Sequence, residues 1–172
     1  KNQSKDTLSS LVLAVEPNRW AGCFVLGYLE VNGLSSTGYT LKAIRLEVPL
    51  SVVLAPGQTV TLTIHYQLRL PETDSYHLFG YKDWQINLVD WYPFVVPYDP
   101  ETGWILHPPA EVGEHLVYDQ NDFEVSLTFT DPDLPVMVAA GVPGERTADG
   151  WHYRLDRARA FAFSFSTRYL AS

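Results

Sequence analysis

Four side chains that can bind a metal ion lie within nine positions of one another: His107, Glu111, Glu114 and His115. Imidazole and carboxylate groups are both zinc ligands. Pro108 and Pro109 place the segment on a loop, and the spacing matches no metal-binding motif. We therefore predict a solvent-exposed polar loop here. A stand-alone metalloenzyme would require these four side chains to gather around one metal ion.

Other catalytic chemistry has no support in the sequence. The chain has no His-Glu-x-x-His, no Gly-x-Ser-x-Gly and no Gly-rich phosphate loop. Cys23 is the single cysteine and has no neighbouring base, so we predict a buried thiol. Asp131 and Asp133 flank a proline, where aspartate favours a turn. The sequence thus predicts no catalytic residue and no metal ligand in this chain.

A dense group of aromatic residues occupies positions 79–104. Pro93, Pro97 and Pro100 interrupt it, and prolines at this spacing prevent regular strand pairing. Aromatic side chains on such loops either close the end of a β core or form a binding surface. The candidates for a domain interface are Tyr81, Trp84, Trp91, Tyr92, Phe94, Tyr98 and Trp104.

The charge distribution restricts the partners. The chain has 20 acidic and 12 basic residues, and its net charge of -8 argues against nucleic acid or an anionic membrane surface as the main partner. No Lys or Arg lies between Lys82 and Arg146. This acidic stretch is either neutralised by the arginines that follow it or attracts cations, amines or another subunit. The chain has no apolar run long enough for a transmembrane helix.

Alternating apolar and polar residues indicate the elements that would position these groups. Residues 44–54 and 59–70 alternate, and we predict that the turn at 55–58 joins them into a hairpin. Further strands are predicted at 23–31, 84–90, 122–130, 134–140, 151–156 and 160–169. In the last strand, small residues alternate with aromatic ones, which predicts that the small-residue face is closely covered.

These elements predict the fold class. Eight or nine short strands and no amphipathic helix are typical of an antiparallel β-sandwich or a curved, saddle-like sheet. A chain of 172 residues is long enough for one domain with its own core. We predict a single all-β domain over residues 1–172, with the polar residues 1–10 disordered.

The order of several motifs resembles a known family. The motifs are LSVVLAPGQTVTLTIHY at 50–66, NLVDWYP at 87–93, Tyr98-Asp99, Gly103-Trp104, YDQNDFEVSLT at 118–128 and VAAG at 138–141. Together they resemble the N-terminal β domain of the aminopeptidase N family of zinc metallopeptidases, the gluzincins. The likeness runs from about Val25 to Tyr169.

This resemblance implies a saddle-like domain that docks beside a thermolysin-like catalytic domain of the same polypeptide. Zinc would lie in that catalytic domain, so this chain would be an N-terminal fragment that cannot hydrolyse peptides alone. It would help to form the substrate channel, and Gln85 is the candidate for holding the amino group of a peptide substrate. The segment 91–100 lacks the family's cysteine, which indicates a divergent member. The resemblance is compatible with a cytoplasmic, an extracellular or a membrane-anchored parent protein.

A different class of function is an independent β-sandwich module that binds carbohydrate or protein. Exposed, coplanar tryptophans spaced for sugar rings would favour carbohydrate. A contiguous exposed apolar patch would instead favour a protein interface.

Overall fold

The structure is a computed structural model that describes residues 1–73, 78–110, 114–131 and 137–169. All strand pairs in the sheets are antiparallel, so the predicted all-β fold is confirmed. A single short 3-10 helix at Glu16–Arg19 accompanies the strands in the described residues. None of the helical structure found there is long and apolar enough to span a membrane.

The strands are short and are numbered in chain order. They are β1 (Leu8–Ala14), β2 (Phe24–Val31), β3 (Leu34–Ser35), β4 (Thr40–Lys42), β5 (Arg45–Leu54), β6 (Leu62–Leu68), β7 (Phe79–Lys82), β8 (Gln85–Leu88), β9 (Phe94–Val95), β10 (Tyr98–Asp99), β11 (Gly103–Trp104), β12 (Asn121–Thr128), β13 (Met137–Ala140), β14 (Glu145–Arg146), β15 (Gly150–Ala158) and β16 (Phe163–Ser166).

Backbone contacts divide the chain into two compact units. The first contains Lys1–Arg69 and Tyr92–Tyr118, and the second contains Leu70–Trp91 and Asp119–Ser172. Each unit is built from two separate stretches of sequence, so no linker marks a boundary between them. The single domain over residues 1–172 stays a prediction.

The first unit is organised around β1. Its sheets have the strand orders β4-β5-β1-β9 and β3-β2-β6, with β10-β11 as a separate ribbon. Leu11, Leu13 and Val15 pack in one apolar cluster, and Val12 and Ala14 pack in another. An unbroken apolar run is typical of a strand that is buried on both faces. Because such a run does not alternate between apolar and polar residues, the alternating pattern did not predict β1.

The prediction of disorder at residues 1–10 was wrong. β1 begins at Leu8, and Asn2 is buried. The Asn2 Nδ2 group donates hydrogen bonds to the carbonyl oxygens of Asp6 at 2.8 Å and Leu54 at 2.9 Å. These bonds satisfy the polar side chain inside the fold, so the polar composition did not indicate exposure.

The predicted hairpin between residues 44–54 and 59–70 was also wrong. The turn forms, with Gly57 at a φ of 79° and the Gln58 N–H donating to the Ala55 oxygen at 3.1 Å. However, β5 pairs with β1 and β4, whereas β6 pairs with β2. The turn therefore connects strands of two different sheets. Both strands have an apolar face that needs a covering layer, and alternation alone does not identify the strand beside each one.

The second unit contains two sheets, with strand orders β12-β15-β14 and β13-β16-β8-β7. Its buried aromatic residues include Tyr153, Phe161 and Phe163. Phe161 lies 5.6 Å from Tyr153 and 6.2 Å from Phe163 between ring centroids. The predicted strand at 134–140 is described only from Met137 onward, because positions 132–136 lie outside the described residues.

Candidate functional site

A cluster of amide and hydroxyl side chains lies where β8 pairs with β16 in the second unit. Asn87 is opposite Ser164, and Gln85 is opposite Ser166. The Ser164 hydroxyl lies 2.7 Å from Asn87 Oδ1 and 3.0 Å from the Ile86 carbonyl oxygen, and it shares a hydrogen bond with the Tyr169 hydroxyl. We call Gln85, Asn87, Ser164 and Tyr169 the amide cluster. It contains the sequence-predicted substrate residue, Gln85.

The orientation of the Gln85 amide is fixed by its neighbours. Gln85 Nε2 donates to Asn87 Oδ1 at 2.7 Å and lies 3.2 Å from Ser164 Oγ. Both amide hydrogens are therefore engaged. In the part of the chain that the structure describes, no group donates a hydrogen bond to Gln85 Oε1, and the side chain is exposed. The cluster thus presents one fixed acceptor oxygen, which suits an ammonium or amide N–H group.

An aromatic–cation pair flanks the amide cluster. Trp84 lies in the two-residue turn between β7 and β8, next to Asp83, whose φ is 50°. Trp84 is 58% exposed. The guanidinium carbon of Arg168 lies 3.5 Å from the centroid of the Trp84 ring. The geometry is that of a close cation–π stack. Sequence analysis did not identify this pair, because the two residues are far apart in the chain.

The opposite face of this sheet carries aromatic side chains of β16. Phe163 and Phe165 stack at 5.9 Å, and Trp91 contacts Phe163 edge-on at 5.5 Å. The Trp91 indole N–H donates to the Phe161 carbonyl oxygen at 3.1 Å. On the amide-cluster face Ser166 is buried. Ala160, Ala162 and Ser164 on the same face are half-buried and Arg168 is exposed, so the predicted close cover over the small-residue face is found only at Ser166.

The predicted interface aromatics in the second unit differ in exposure. Trp84 and Tyr81 are exposed, Tyr81 at 41%, whereas Trp91 is half-buried. Tyr81 belongs to β7, where its backbone N–H donates to the Pro71 oxygen at 3.0 Å. Tyr81 and Trp84 therefore have side-chain surface available to a partner.

The remaining predicted interface aromatics pack within the first unit. Phe94 is buried and stacks on Tyr118 at 4.9 Å, and Tyr92 contacts Phe94 at 6.4 Å. Tyr98 and Trp104 meet edge-on at 5.1 Å. Their packing favours the first of the two roles considered for the aromatic segment, in which aromatic side chains close the end of a β core. Phe94 in particular has almost no surface to offer another domain.

Exposed apolar side chains line a groove in the first unit. None of its lining residues is ionisable, and its apolar lining is Val31, Leu34, Leu50, Val52, Val53, Leu54 and Val60. Val52 is 79% exposed and Leu34 is 71% exposed. We call this feature the Val52 groove.

A large bulge in β5 explains why Val52 is exposed. In the alternating run at 44–54, Val52 falls in the same series as Leu46 and Val48, which are buried. However, Leu8 pairs with Leu54 and Ser10 pairs with Pro49, so residues 50–53 lie opposite Ser9 alone. Extra residues in one strand interrupt the alternation and turn side chains outward. Val52 therefore lies outside the core, although it belongs to the alternating run.

The segment at 107–115, which we predicted to be a solvent-exposed polar loop, forms no metal site in the described residues, and its His115 side chain is mostly buried. The His115 Nε2 atom lies 3.0 Å from Glu16 Oε2, and Arg19 Nη1 lies 2.7 Å from the other oxygen of the same carboxylate. His107 and Glu114 are exposed. Glu111 lies outside the described residues. Among the described residues no group of three or more His, Cys, Asp or Glu could hold a metal ion.

The Glu16–His115 pair is a buried structural contact. The side chains of His115 and Glu16 are 10% and 9% exposed. A buried carboxylate requires charged or hydrogen-bonding partners, and Glu16 has one on each oxygen. The pair connects the 3-10 helix to the segment that contains His115. His115 therefore contacts a carboxylate of the protein.

One further histidine contacts a hydroxyl group. Ser126 Oγ lies 3.2 Å from His152 Nδ1 on paired strands β12 and β15, and Glu124 Oε1 lies 3.8 Å from His152 Nε2. The second distance is too long for a hydrogen bond. Glu124 and Ser126 lie on the exposed face of β12. The arrangement supports an ordinary cross-strand contact and no catalytic assignment.

Cys23 is buried, as the sequence predicted. Burial raises the pKa of its thiol, which outweighs the lowering effect of a backbone hydrogen bond from Arg69. A thiol with a raised pKa has little thiolate and is a poor nucleophile. Cys23 is therefore a core residue.

Comparison with solved structures identifies the fold. An M1 zinc metallopeptidase from Deinococcus radiodurans, in a mutant form, matches 95% of this chain with a TM-score of 0.50 and 13% sequence identity. The crystal structure of an M1 zinc metallopeptidase from the same organism, and that of a mutant bound to a Tyr-Ser-Ala substrate, match with TM-scores of 0.49 and the same identity and coverage. The chain has the fold of part of an M1 zinc metallopeptidase.

The matched region covers 35% of the metallopeptidase chains, so this chain spans about a third of their length. At this low identity the likeness concerns the fold. No protein-family model and no curated protein sequence matches the chain.

Proposed function

We propose that this chain is the non-catalytic N-terminal β domain of a divergent aminopeptidase N-like zinc metallopeptidase. The observation that carries the proposal is the fold: 95% of the chain matches part of an M1 zinc metallopeptidase at a TM-score of 0.50. The sequence resemblance to the N-terminal β domain of that family supports the same assignment. The chain would pack against the catalytic domain of its own polypeptide and help to form the peptide channel.

In this proposal, zinc belongs to the catalytic domain. The donor set of the described residues does not fit a zinc ion, because His115 is engaged with Glu16 and no other candidate ligand lies beside them. The present chain therefore contributes binding and positioning, and we assign no catalytic step to it.

The proposed substrate contact is Gln85. Its amide hydrogens are held by Asn87 and Ser164, which leaves Oε1 as an oriented acceptor. The amino group of a peptide offers N–H donors that such an oxygen can accept. An acceptor that is already oriented loses little entropy on binding, which favours recognition.

Each unit has its own candidate contact with the catalytic domain. Tyr81 and Trp84 are exposed members of the predicted interface set, and the Val52 groove is apolar and uncharged. Exposed apolar surface on a protein of net charge -8 supports a protein partner with a matching apolar surface.

The first test is the coding sequence downstream of the region that encodes Ser172. We expect a His-Glu-x-x-His motif followed by a glutamate about 20 residues later. A stop codon or an unrelated domain would overturn the proposal. A binding module would then be the next function to test by glycan and peptide screening.

The second test measures the role of Gln85 in the full-length protein. We expect Gln85→Ala to lower kcat/KM for an aminoacyl substrate by about 10-fold, since one hydrogen bond to a charged group is lost. Gln85→Glu retains an acceptor and should lose less. Gln67→Ala is the matched control, because Gln67 is also an exposed glutamine on a strand. Equal loss in the Gln85 and Gln67 variants would contradict the assignment.

Carbohydrate binding has less support from the described residues. Trp84 is their most exposed tryptophan, and Arg168 stacks on its ring. A pair of coplanar, exposed indoles is not present in this part of the structure. We therefore favour a protein partner over a sugar.

A further inference from the structure

We propose that Arg168 and Trp84 form a binding site for a carboxylate group carried by a peptide. The site lies on the second unit, beside the amide cluster. It is a site for recognition, and it involves no covalent step. The inference concerns this chain alone and does not depend on the proposed metallopeptidase function.

The backbone around Arg168 is held in place on both sides. Its N–H donates to Ser166 Oγ at 3.0 Å, and Ser166 is buried. The next residue, Tyr169, shares a hydrogen bond with Ser164 through its hydroxyl. These contacts attach the turn after β16 to the sheet. The arginine therefore extends from a fixed backbone, although its side chain is exposed.

Stacking on Trp84 orients the guanidinium group. At 3.5 Å from the ring centroid, Arg168 covers one face of the indole. A stacked guanidinium still has its N–H groups around the edge of its plane. Those N–H groups match the two oxygens of a carboxylate, which can accept two parallel hydrogen bonds. The stack therefore restricts the arginine while leaving its recognition edge available.

Arg168 has no carboxylate partner among the described residues. Arg19, Arg45 and Arg154 each form an ion pair with a glutamate or aspartate. In the same part of the structure Arg168 shares the lack of such a pair with Arg69, Arg146, Arg157 and Arg159, and it differs from them in its close stack on an exposed tryptophan. The chain has more acidic than basic residues, so partners are plentiful. An arginine that is fixed on an aromatic ring and lacks an acidic partner is suited to bind an external anion.

The adjacent groups indicate which kind of anion. Gln85 follows Trp84 directly and presents Oε1 as an acceptor. A simple inorganic anion has no N–H group for that oxygen, whereas a peptide has a carboxylate and backbone N–H groups. The carboxylate could come from a free C-terminus or from an acidic side chain. The net charge of -8 disfavours unspecific binding of anions elsewhere on the protein.

The experiment uses three blocked peptides as probes. N-acetyl-Ala-Ala-Ala carries a free C-terminal carboxylate, its C-terminal amide carries none, and N-acetyl-Ala-Glu-Ala amide carries a side-chain carboxylate. Binding is followed by NMR through the indole N–H signal of Trp84, assigned by its loss in Trp84→Phe. We expect saturable shifts with at least one carboxylate peptide and none with the uncharged amide. The stronger of the two carboxylate peptides identifies the source of the group.

Variants separate recognition from folding. We expect Arg168→Gln to weaken binding by at least about 10-fold, because charge-assisted hydrogen bonds are lost. Arg168→Lys keeps the charge but loses the planar fork, and should also bind more weakly than the original protein. Arg146→Gln is the matched control, since Arg146 also stacks on a tryptophan, at 5.2 Å from the Trp151 ring.

Clear results would overturn the inference. These are equal binding of the uncharged peptide, unchanged binding by a folded Arg168→Gln variant, or no shift with any peptide at millimolar concentration. Retained dispersion of the other NMR signals establishes that each variant is folded. A missing zinc motif in the downstream gene would overturn the proposed function and leave this inference intact.

Discussion

Tyr153→Phe should stabilise the protein. Tyr153 is buried between Trp151 and Phe161, with ring centroids 6.3 Å and 5.6 Å away. Its hydroxyl has no hydrogen-bond partner among the described residues. The substitution retains the packed ring and removes only the oxygen. The core contacts are therefore preserved while an unsatisfied polar atom is removed.

The size of the effect follows from the desolvation of that hydroxyl. A buried group without a partner costs about 1–3 kcal/mol, so the variant should gain that amount of unfolding free energy. For a protein of this size, each kcal/mol raises the melting temperature by about 2–4 °C. Urea and thermal unfolding, followed by circular dichroism, measure both quantities.

The matched control is Tyr98→Phe. The Tyr98 hydroxyl donates to Asp6 Oδ2 at 3.3 Å, so its removal should destabilise the protein by about 0.5–1.5 kcal/mol. The two variants make the same chemical change and should shift stability in opposite directions. Destabilisation by Tyr153→Phe would refute the reasoning, because it would require a stabilising partner for the hydroxyl.

The same residue predicts a dependence on pH. Burial raises the pKa of the Tyr153 phenol above its ordinary value of 10.0. The folded state therefore holds the phenolic proton more tightly than the unfolded chain. This contribution to stability is complete below pH 10 and is lost as the pH rises beyond it. Tyr153→Phe should show a smaller alkaline loss of stability than the original protein.

Three further substitutions or reactions test other parts of the structure. Glu16→Gln should lower the free energy of unfolding, measured in urea, by about 2 kcal/mol, because the buried carboxylate contacts both His115 and Arg19. An unchanged free energy of unfolding would mean that these contacts are not formed. Val52→Ser should change the free energy of unfolding by less than about 0.5 kcal/mol, because Val52 is exposed. Leu46→Ala on the same strand should lower it by about 2–5 kcal/mol, because Leu46 is buried. A large loss of stability in Val52→Ser would mean that Val52 lies in the core. Cys23 should react with a thiol reagent at least about 100-fold more slowly in the native protein than in urea, because it is buried and its thiol pKa is raised. Rapid native reaction would contradict its burial.

Local sequence patterns predicted several elements with nearly correct bounds. The strand predicted at 23–31 corresponds to β2, and the alternating run at 122–130 overlaps all but the first residue of β12. These patterns work because successive side chains of a strand point to opposite faces, so a half-buried strand alternates regardless of its partner. β1 was missed for the complementary reason, since both of its faces are buried.

The candidate site was only partly accessible from the sequence. Gln85 came from the family resemblance, but its fixed amide depends on Ser164, 79 positions away. Arg168 stacks on Trp84, and these two residues are separated by a similar number of positions along the chain. Contacts of this kind depend on strand pairing, because β16 and β8 must be neighbours before their side chains can meet.

The sequence by itself determined the all-β class, the positions of eight of the sixteen described strands, the buried cysteine and the absence of recognised catalytic motifs. Each of these depends on residue type and on local periodicity. The tertiary structure decided which strands pair, which aromatic residues stay exposed and where the acceptor oxygen of Gln85 points. Those properties depend on long-range burial and hydrogen bonding, and a local pattern is compatible with more than one partner strand.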